Sequence, residues 1–414
     1  MRRRPDRGAA PETERTPEVD REHAADSDLG HPRDHEHGAK PTVRSDIEAT
    51  AHRYDKGSVR SDIEATAHRY DKGSVRADIE ALLKSRRVRE WIIIGITAFV
   101  VHLLFVLVLM LGPRFLSPAE IVSIVLGKTT GPDAFALLEL RAPRAFLGLF
   151  TGAAFGMAGT TFQTMLRNPL ASPDIIGISS GASAFAVFAI IVLGASDTTV
   201  SLFALGGALV TALAIFVLSS TTGFAGFRMI LIGIGFAALL NAVTQWILSG
   251  SPSWDLQTAM RWLSGSLNGA TWKTVIPLAI VTVVLGLVLI LLRRHLDLMR
   301  LGDDTARGLG VPVTASRIAL VITAVALLAV ATASAGPIAF VAFMSGPVAA
   351  RLLKSGRPPL FESALVGAAL VLGADLIAQN AFAVHYPVGV VTGLLGAPFL
   401  IYLLIRMNKG VTKL

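Results

Sequence analysis

The chain has 414 residues, 52% of them hydrophobic, a formal net charge of +8 and no cysteine. Without cysteine there are no disulfides, thiolate metal sites or iron–sulfur clusters. Residues 1–90 hold 19 Lys/Arg and 19 Asp/Glu, whereas residues 91–414 hold 19 Lys/Arg against 11 Asp/Glu, so the whole excess charge belongs to the second part. Its basic residues flank hydrophobic blocks, and no basic stripe is interleaved with aromatics. That pattern argues against a nucleic-acid partner.

Taken in chain order, residues 1–90 read as a disordered, charged cytoplasmic tail, too poor in large apolar side chains to offset chain entropy. "MRRRPDRG" is followed by no apolar stretch and does not read as a signal peptide, so the first span is the expected insertion signal. In "HPRDHEH", His31, His35 and His37 have the residue types of a metal site, but three solvated histidines in a tail are the simpler reading. The sixteen residues "VRSDIEATAHRYDKGS" occur at 43–58 and again at 59–74, and a partial third copy covers 75–83. Ser45 with Glu48, and Ser61 with Glu64, fit capping boxes, while Gly57 and Gly73 fit helix stops. A helix of about twelve residues is marginal in water. Successive copies would also be rotated by about 160°, so they share no face. In the third copy Ala77 replaces the capping serine, and "DIEALLKSRRVREW" reads as a basic lead-in to the first span. The repeat reads as a dispensable leader.

Residues 91–414 predict an all-α polytopic membrane domain. Ten apolar runs fall near 91–112, 143–165, 175–194, 200–221, 228–249, 272–292, 315–334, 337–353, 361–384 and 388–406. With both termini inside, 13 of the 19 basic residues of this part face the cytoplasm, which supports that orientation. Small residues recur in "GLFTGAAFGMAG", as expected where helices approach closely in lipid.

Three loops are richer than connectors. "LRNPLASPDIIGISSGASA" (166–184) breaks at Pro169 and Pro173, with Ser172 or Asp174 as caps for the next helix. "SPSWDLQTAMRWLSGSLNGATW" (251–272) predicts an amphipathic outer helix, with Trp254, Trp262 and Trp272 in an interfacial belt. "RRHLDLMRLGDDTARGLGVP" (293–312) predicts a short helix outside the bilayer. There Asp303 is the expected N-cap, Asp304 complements the helix dipole, and Gly308 or Gly310 ends the helix. On periodicity alone this loop is a solvated connector. "GKTTG" (127–131) lacks the earlier glycine of a phosphate loop, since position 122 is Val, so the chain offers no ATP site. Asp375 lies at membrane depth, and either Gln379 or Asn380 or a helix-end contact suits it as partner. Asn241 and Gln245 are four apart and share a helix face, which suits either a pathway lining or interhelical contact.

From Arg141 to about Lys409 the chain resembles the FecCD-type permease subunits of ABC importers for iron–siderophore complexes, heme and cobalamin. The resemblance rests on "RAPRAFLGLFTGAAFGMAGTTFQTMLRNPLASPDIIGISSGA", "LMRLGDDTARGLGV", "AGPIAFVAF" and "YPVGVVTGLLGAPFLIYLL", in the family's order. "RNPLASPDIIGISSGA" looks closer to siderophore permeases than to cobalamin ones. The resemblance implies a non-enzymatic permease in the bacterial cell membrane that carries an iron chelate by alternating access. It implies no cofactor on this chain, with ATP and Mg held by a cytoplasmic ABC ATPase dimer. It also implies a second permease subunit, identical or not, and an extracytoplasmic substrate-binding protein. In that setting Gly302, Asp303, Asp304, Thr305, Ala306, Arg307, Gly308, Leu309 and Gly310 resemble the coupling helix seated in the ATPase. Arg141 and Arg144 match the arginines that pair with acids of the binding protein, while Gln379 stands where members often carry a further arginine. Ser220, Thr221 and Thr222 fall where the family places its cytoplasmic gate. In "AFMSGPVAARLL" Gly346-Pro347 replaces the usual proline and polar residue, shifting the proline by one position. Two readings of other classes stand beside this one. One is a proton-driven secondary transporter working through Asp375; the other is a membrane-anchored interaction protein working through its tail.

Overall fold

A computed structural model describes residues 72–172, 177–220, 226–354 and 356–411. The chain divides into two units, Met1–Asp78 and Ile79–Leu414. Of the first, only the start of one helix is described; the copy of the repeat at 43–58 and most of the copy at 59–74 lie outside the described residues.

Helix α1 (Lys72–Met110) carries the third repeat copy and the basic lead-in into the first span without a break. It ends just before Gly112-Pro113, where a proline without an N–H also disfavours helix in the residue before it. Short helices α2 (Pro118–Val125) and α3 (Pro132–Phe135) follow, and a π-helical turn (Ala136–Arg141) then runs directly into α4 (Ala142–Met165). The remaining helices are α5 (Ile178–Ile191), α6 (Asp197–Ser220), α7 (Gly226–Ser249), α8 (Ser253–Leu263), α9 (Trp272–Leu291), α10 (Arg293–Met299), α11 (Asp303–Gly308), α12 (Val313–Ala335), α13 (Val341–Leu353), α14 (Leu360–Asn380) and α15 (Val388–Val411).

Among the described residues, eight segments are long and apolar enough to cross a membrane: α1, α4 with its lead-in, α6, α7, α9, α12, α14 and α15. Helices α5 and α13 are apolar but shorter, 14 and 13 residues. At 1.5 Å per residue each reaches only about 20 Å, against roughly 30 Å of hydrocarbon. The ten expected spans are thus eight full helices and two partial ones. The run expected from 175 begins at Ile178, after Gly177 turns the chain left-handed with φ 88°. The run expected from 337 begins at Val341, after Phe340 does the same with φ 64°. The run expected to reach 384 stops at Asn380. Partial helices at membrane depth must be enclosed by protein, and α5 and α13 are lined with buried residues.

Helix α4 is the hub. Buried residues make up 78% of its most apolar window, against 11% for α1 and for α7, and it packs against α14, α12, α13 and α9. The contact with α14 is the most extensive between helices among the described residues, and glycine makes it possible. A Cβ placed on Gly152 would land on the carbonyl of Gly367 and lie 2.7 Å from Ala368 Cα. In water such glycines cost a helix about 1 kcal/mol each relative to alanine. In lipid they let two backbones meet, and van der Waals contact there drives association.

Several backbone groups released by irregularities are claimed by side chains. Pro143 has no N–H to return to the Glu139 carbonyl, and the turn before it widens so that the Ala142 N–H reaches back five residues to Leu137. The Leu138 carbonyl, which a regular helix would have given to Ala142, accepts from Trp272 Nε1 at 2.9 Å. Pro347, inside α13, likewise leaves the Phe343 carbonyl without its helical donor. Gln163 of α4 supplies one, its Nε2 donating to Phe343 O at 2.9 Å and to Pro169 O at 3.0 Å. Gly346 leaves room for this, since a Cβ there would run into the Gln163 side-chain oxygen. The shifted proline is therefore served by a glutamine from the hub helix.

Replacing Gly152 with Val is expected to abolish a monodisperse peak in detergent. Ala at Gly235, where an added Cβ meets nothing within 4 Å, is expected to leave the melting temperature within a few degrees. Equal melting curves for the two variants would contradict this packing.

Candidate functional site

Chemistry-bearing side chains gather at the two ends of the bundle. At the end where α1 finishes, Arg144 in the first turn of α4 meets Asp375 of α14 edge to edge. Its Nε donates to Oδ2 at 2.8 Å and its Nη2 to Oδ1 at 2.7 Å, while Nη1 donates to Asn268 Oδ1 at 2.6 Å. The Asp375 side chain is 2% exposed and that of Arg144 20%, so this is a mostly desolvated, fork-to-fork ion pair. This corrects the expected partners of Asp375. Gln379 reaches toward the Tyr386 carbonyl and Asn380 donates to the Leu376 carbonyl. Both belong to the last turn of α14, where backbone groups lose their helical partners.

Arg141 serves a different element. Its Nη1 donates to Leu109 O and Met110 O at 2.9 and 3.1 Å, and its Nη2 to Arg114 O at 2.6 Å. These are the carbonyls at and just beyond the end of α1, which have no helical donors. Both arginines of the "RAPR" motif are therefore engaged by the chain itself. Close by, Ser117 and Glu120 close a capping box on α2, and Arg114 pairs with Asp133 and lies 3.7 Å from Glu120. The Ser117 backbone N–H, then its hydroxyl, then the Arg114 charge hold the Glu120 carboxyl below its usual 4.5.

At the opposite end, α10 and α11 lie between α9 and α12. Leu296, Met299 and Ala306 are buried beneath them. Asp303 is not the N-cap: that position is Gly302, at φ 113° and with no side-chain cap, and Asp303 is the first helical residue. Its carboxylate turns toward the bundle, where Arg317 Nη2 donates to both oxygens at 2.8 and 2.9 Å and Arg167 Nη2 lies 3.7 Å away. Asp304 faces solvent and meets only Arg307, one turn on, at 2.8 Å. Such an exposed pair contributes under about 1 kcal/mol. Thr305, Arg307, Gly308, Leu309 and Gly310 are exposed as well, Leu309 at 57%. The expected helix forms, and it projects an exposed rim around one buried alanine.

The other singled-out residues do not join either cluster. Ser220 is the last residue of α6; Thr221 and Thr222 lie outside the described residues, as do Asp174 and the histidines of the tail. Asn241 and Gln245 are exposed on α7, and their side chains make no hydrogen bond among the described residues. Of the three tryptophans, Trp254 is exposed on α8, Trp262 packs on the core and Trp272 serves the π-turn. Asn268, Arg317 and Gln163 were not singled out from sequence. Their partners lie 124, 14 and 180 positions away, a separation that no local pattern marks.

Residues 100–406 match the model of the FecCD transport family. The ferric enterobactin transport system permease protein FepG of Escherichia coli is 39% identical over 299 residues, covering 72% of this chain and 91% of that protein. The iron(3+)-hydroxamate import system permease protein FhuG of Bacillus subtilis is 35% identical over 336 residues, covering 79% and 100%. The achromobactin transport system permease protein CbrC of Dickeya dadantii is 38% identical over 301 residues, covering 72% and 86%. Among solved structures, a metal-chelate type ABC transporter in an inward-facing conformation superimposes with a TM-score of 0.67 at 24% identity, covering 76% of this chain and 99% of that one. This last likeness speaks for the fold.

Removing one member of a desolvated ion pair strands the other, typically at a cost of about 3 kcal/mol or more. Arg144→Met and Asp375→Asn are each expected to lower the thermal midpoint in detergent by several degrees, and the double variant by less than the two effects combined. Additive losses would refute the coupling. For Glu120, a folded pKa below 4.5 means that its contribution is present above that value and is lost as pH falls through the folded pKa. Amide protection factors in α2, taken against the intrinsic exchange rate at each pH, are expected to fall below about pH 4.5. Glu120→Gln should flatten that dependence, and an unchanged pH profile in this variant would rule the linkage out.

Proposed function

The chain belongs to the FecCD transport family, and from that premise we infer that it is the permease subunit of an ATP-binding-cassette importer for a ferric siderophore. It is a multi-pass membrane transport protein and not an enzyme. Of three relatives covered over most of their length, two are named for iron chelates, ferric enterobactin and an iron(3+)-hydroxamate, and the third for achromobactin. That agreement carries the substrate class. Heme and cobalamin are the alternatives within the family, and the relatives named above lend them no support.

On this reading the α11 end faces the cytoplasm, in keeping with the excess of basic residues there. The rim formed by Asp304, Thr305, Arg307, Gly308, Leu309 and Gly310 is the seat for a partner ATPase that binds ATP and Mg. The Arg144 end faces outward, toward a substrate-binding protein. Arg141 and Arg144 lie in the motif suited to that docking, although each already holds partners within the chain. The exposed polar pair Asn241 and Gln245 suits a face turned toward a second permease subunit or the pathway between the two. Ser220, Thr221 and Thr222 remain the gate candidates. Transport would then follow from ATPase closure moving α11 and shifting the bundle between inward- and outward-open states. A proton-driven alternative through Asp375 gains nothing from its pairing with Arg144.

The test is uptake of 55Fe by iron-starved cells carrying or lacking this gene, supplied in turn with enterobactin, a ferric hydroxamate, achromobactin or citrate. Uptake of one chelate is expected to fall at least tenfold without the gene and to stop with vanadate. Uptake that survives vanadate but collapses with a protonophore would sink the ATP-driven reading. Undiminished uptake of all four chelates would sink the substrate class.

A further inference from the structure

Adjacent acids at the start of α11 face opposite ways. The Asp304 side chain is fully exposed and pairs within its own helix. The Asp303 side chain, about one-third exposed, is hydrogen-bonded by Arg317 of α12, and Arg167, just beyond the end of α4, lies 3.7 Å from it. Arg317 belongs to the second turn of α12, is 13% exposed and holds both carboxylate oxygens. Arg167 follows the last turn of α4 with its backbone left-handed, φ 50°, a conformation that side chains other than glycine seldom adopt. Its Nη2 donates to Met299 O at 2.7 Å, at the end of α10, and lies 3.7 Å from Asp303. The same platform is fastened twice more: His295 Nδ1 and Ser316 Oγ are 2.9 Å apart, and Arg300 donates to the Gly356 carbonyl.

We propose that Asp303 is the positioning residue that passes displacement of α11 to α12 and α4, acting through Arg317 and Arg167. The proposal rests on the assignment of α11 to the ATPase partner. One Arg317 nitrogen donates to both Asp303 oxygens, a charge-assisted contact that is tied to one place, unlike an apolar patch that can slide. Helix α4 is the hub of the bundle and α12 one of its main neighbours. A push on α11 that carries Asp303 therefore enters the core at two helices together. Asp304, Thr305 and Leu309 meet the partner; Asp303 meets the bundle.

The absence of native cysteine permits a readout that needs no chelate. Ser334 lies at the far end of α12 from Arg317, and Ser334→Cys there takes an environment-sensitive fluorophore. The labelled full-length permease is assembled with its ATPase subunits in liposomes, and fluorescence is read on adding ATP with vanadate. Asp303→Asn is expected to cut the response at least fivefold while the ATPase subunits still co-purify. Arg317→Met should do the same, and the double variant should be no worse than either single one. The proposal is overturned if the reference protein gives no response, if Asp303→Asn keeps a full response, if it loses the ATPase subunits, or if the two losses add. Leu309→Arg tests the parent assignment separately. It is expected to release the ATPase subunits, and their full retention would remove α11 as the seat whatever Asp303→Asn does.

Discussion

At Gly152 and Gly367 two helix backbones meet with no side chain between them. This contact fixes how close α4 and α14 lie, and through that the position of much else. Arg144 reaches Asp375 because it stands two turns from Gly152, on a helix already pressed against α14. Gln163 reaches α13 from the same helix at its other end. A bundle held together by large side chains would keep these axes further apart, and Arg144 would have to stretch to find its acid. Association in lipid gains little from burying apolar groups, since the surroundings are as apolar as the core. Backbone proximity is what such a bundle has to work with.

Satisfying the backbone is the second demand, and it explains why so many polar side chains here serve carbonyl groups. Arg141 answers the end of α1, Trp272 the π-turn, Gln163 the proline in α13, and Arg167 the end of α10. These four irregularities are each matched by a side-chain donor from elsewhere in the chain. In hydrocarbon an unmet carbonyl costs several kcal/mol, so every departure from regular helix needs such a match. The two RAPR arginines show how one short motif divides its labour, one charge supporting a helix end and the other neutralising a buried acid.

Much of this was legible in the sequence, because length and hydrophobicity are local properties. The number of apolar elements, the amphipathic helix α8 and the short helix on the long charged loop all follow from runs of neighbours. The lead-in from the third repeat copy into α1 was legible for the same reason. Where the chain breaks helix by backbone conformation alone, as at Phe340, no composition signal marks the place and the start of α13 was set too early. Pairings were harder still. Asp375 was matched to its sequence neighbours Gln379 and Asn380, yet its partner lies 231 residues away. Asp303 was read as a cap because capping is a local rule, whereas its role depends on which helix lies opposite. The gate candidates Thr221 and Thr222 fall outside the described residues.

A proline inside a helix is ordinarily a weak joint, since the missing bond lets the two halves flex. In α13 the Gln163 amide spans that joint and ties it to the Pro169 carbonyl in the loop beyond α4. One amide thus braces three stretches of chain against bending. The stiffness of α13 is then borrowed from α4. Any swing of α13 at Pro347 pulls through Gln163 on the Pro169 carbonyl as well, so bending there is opposed by α4 and the loop that follows it.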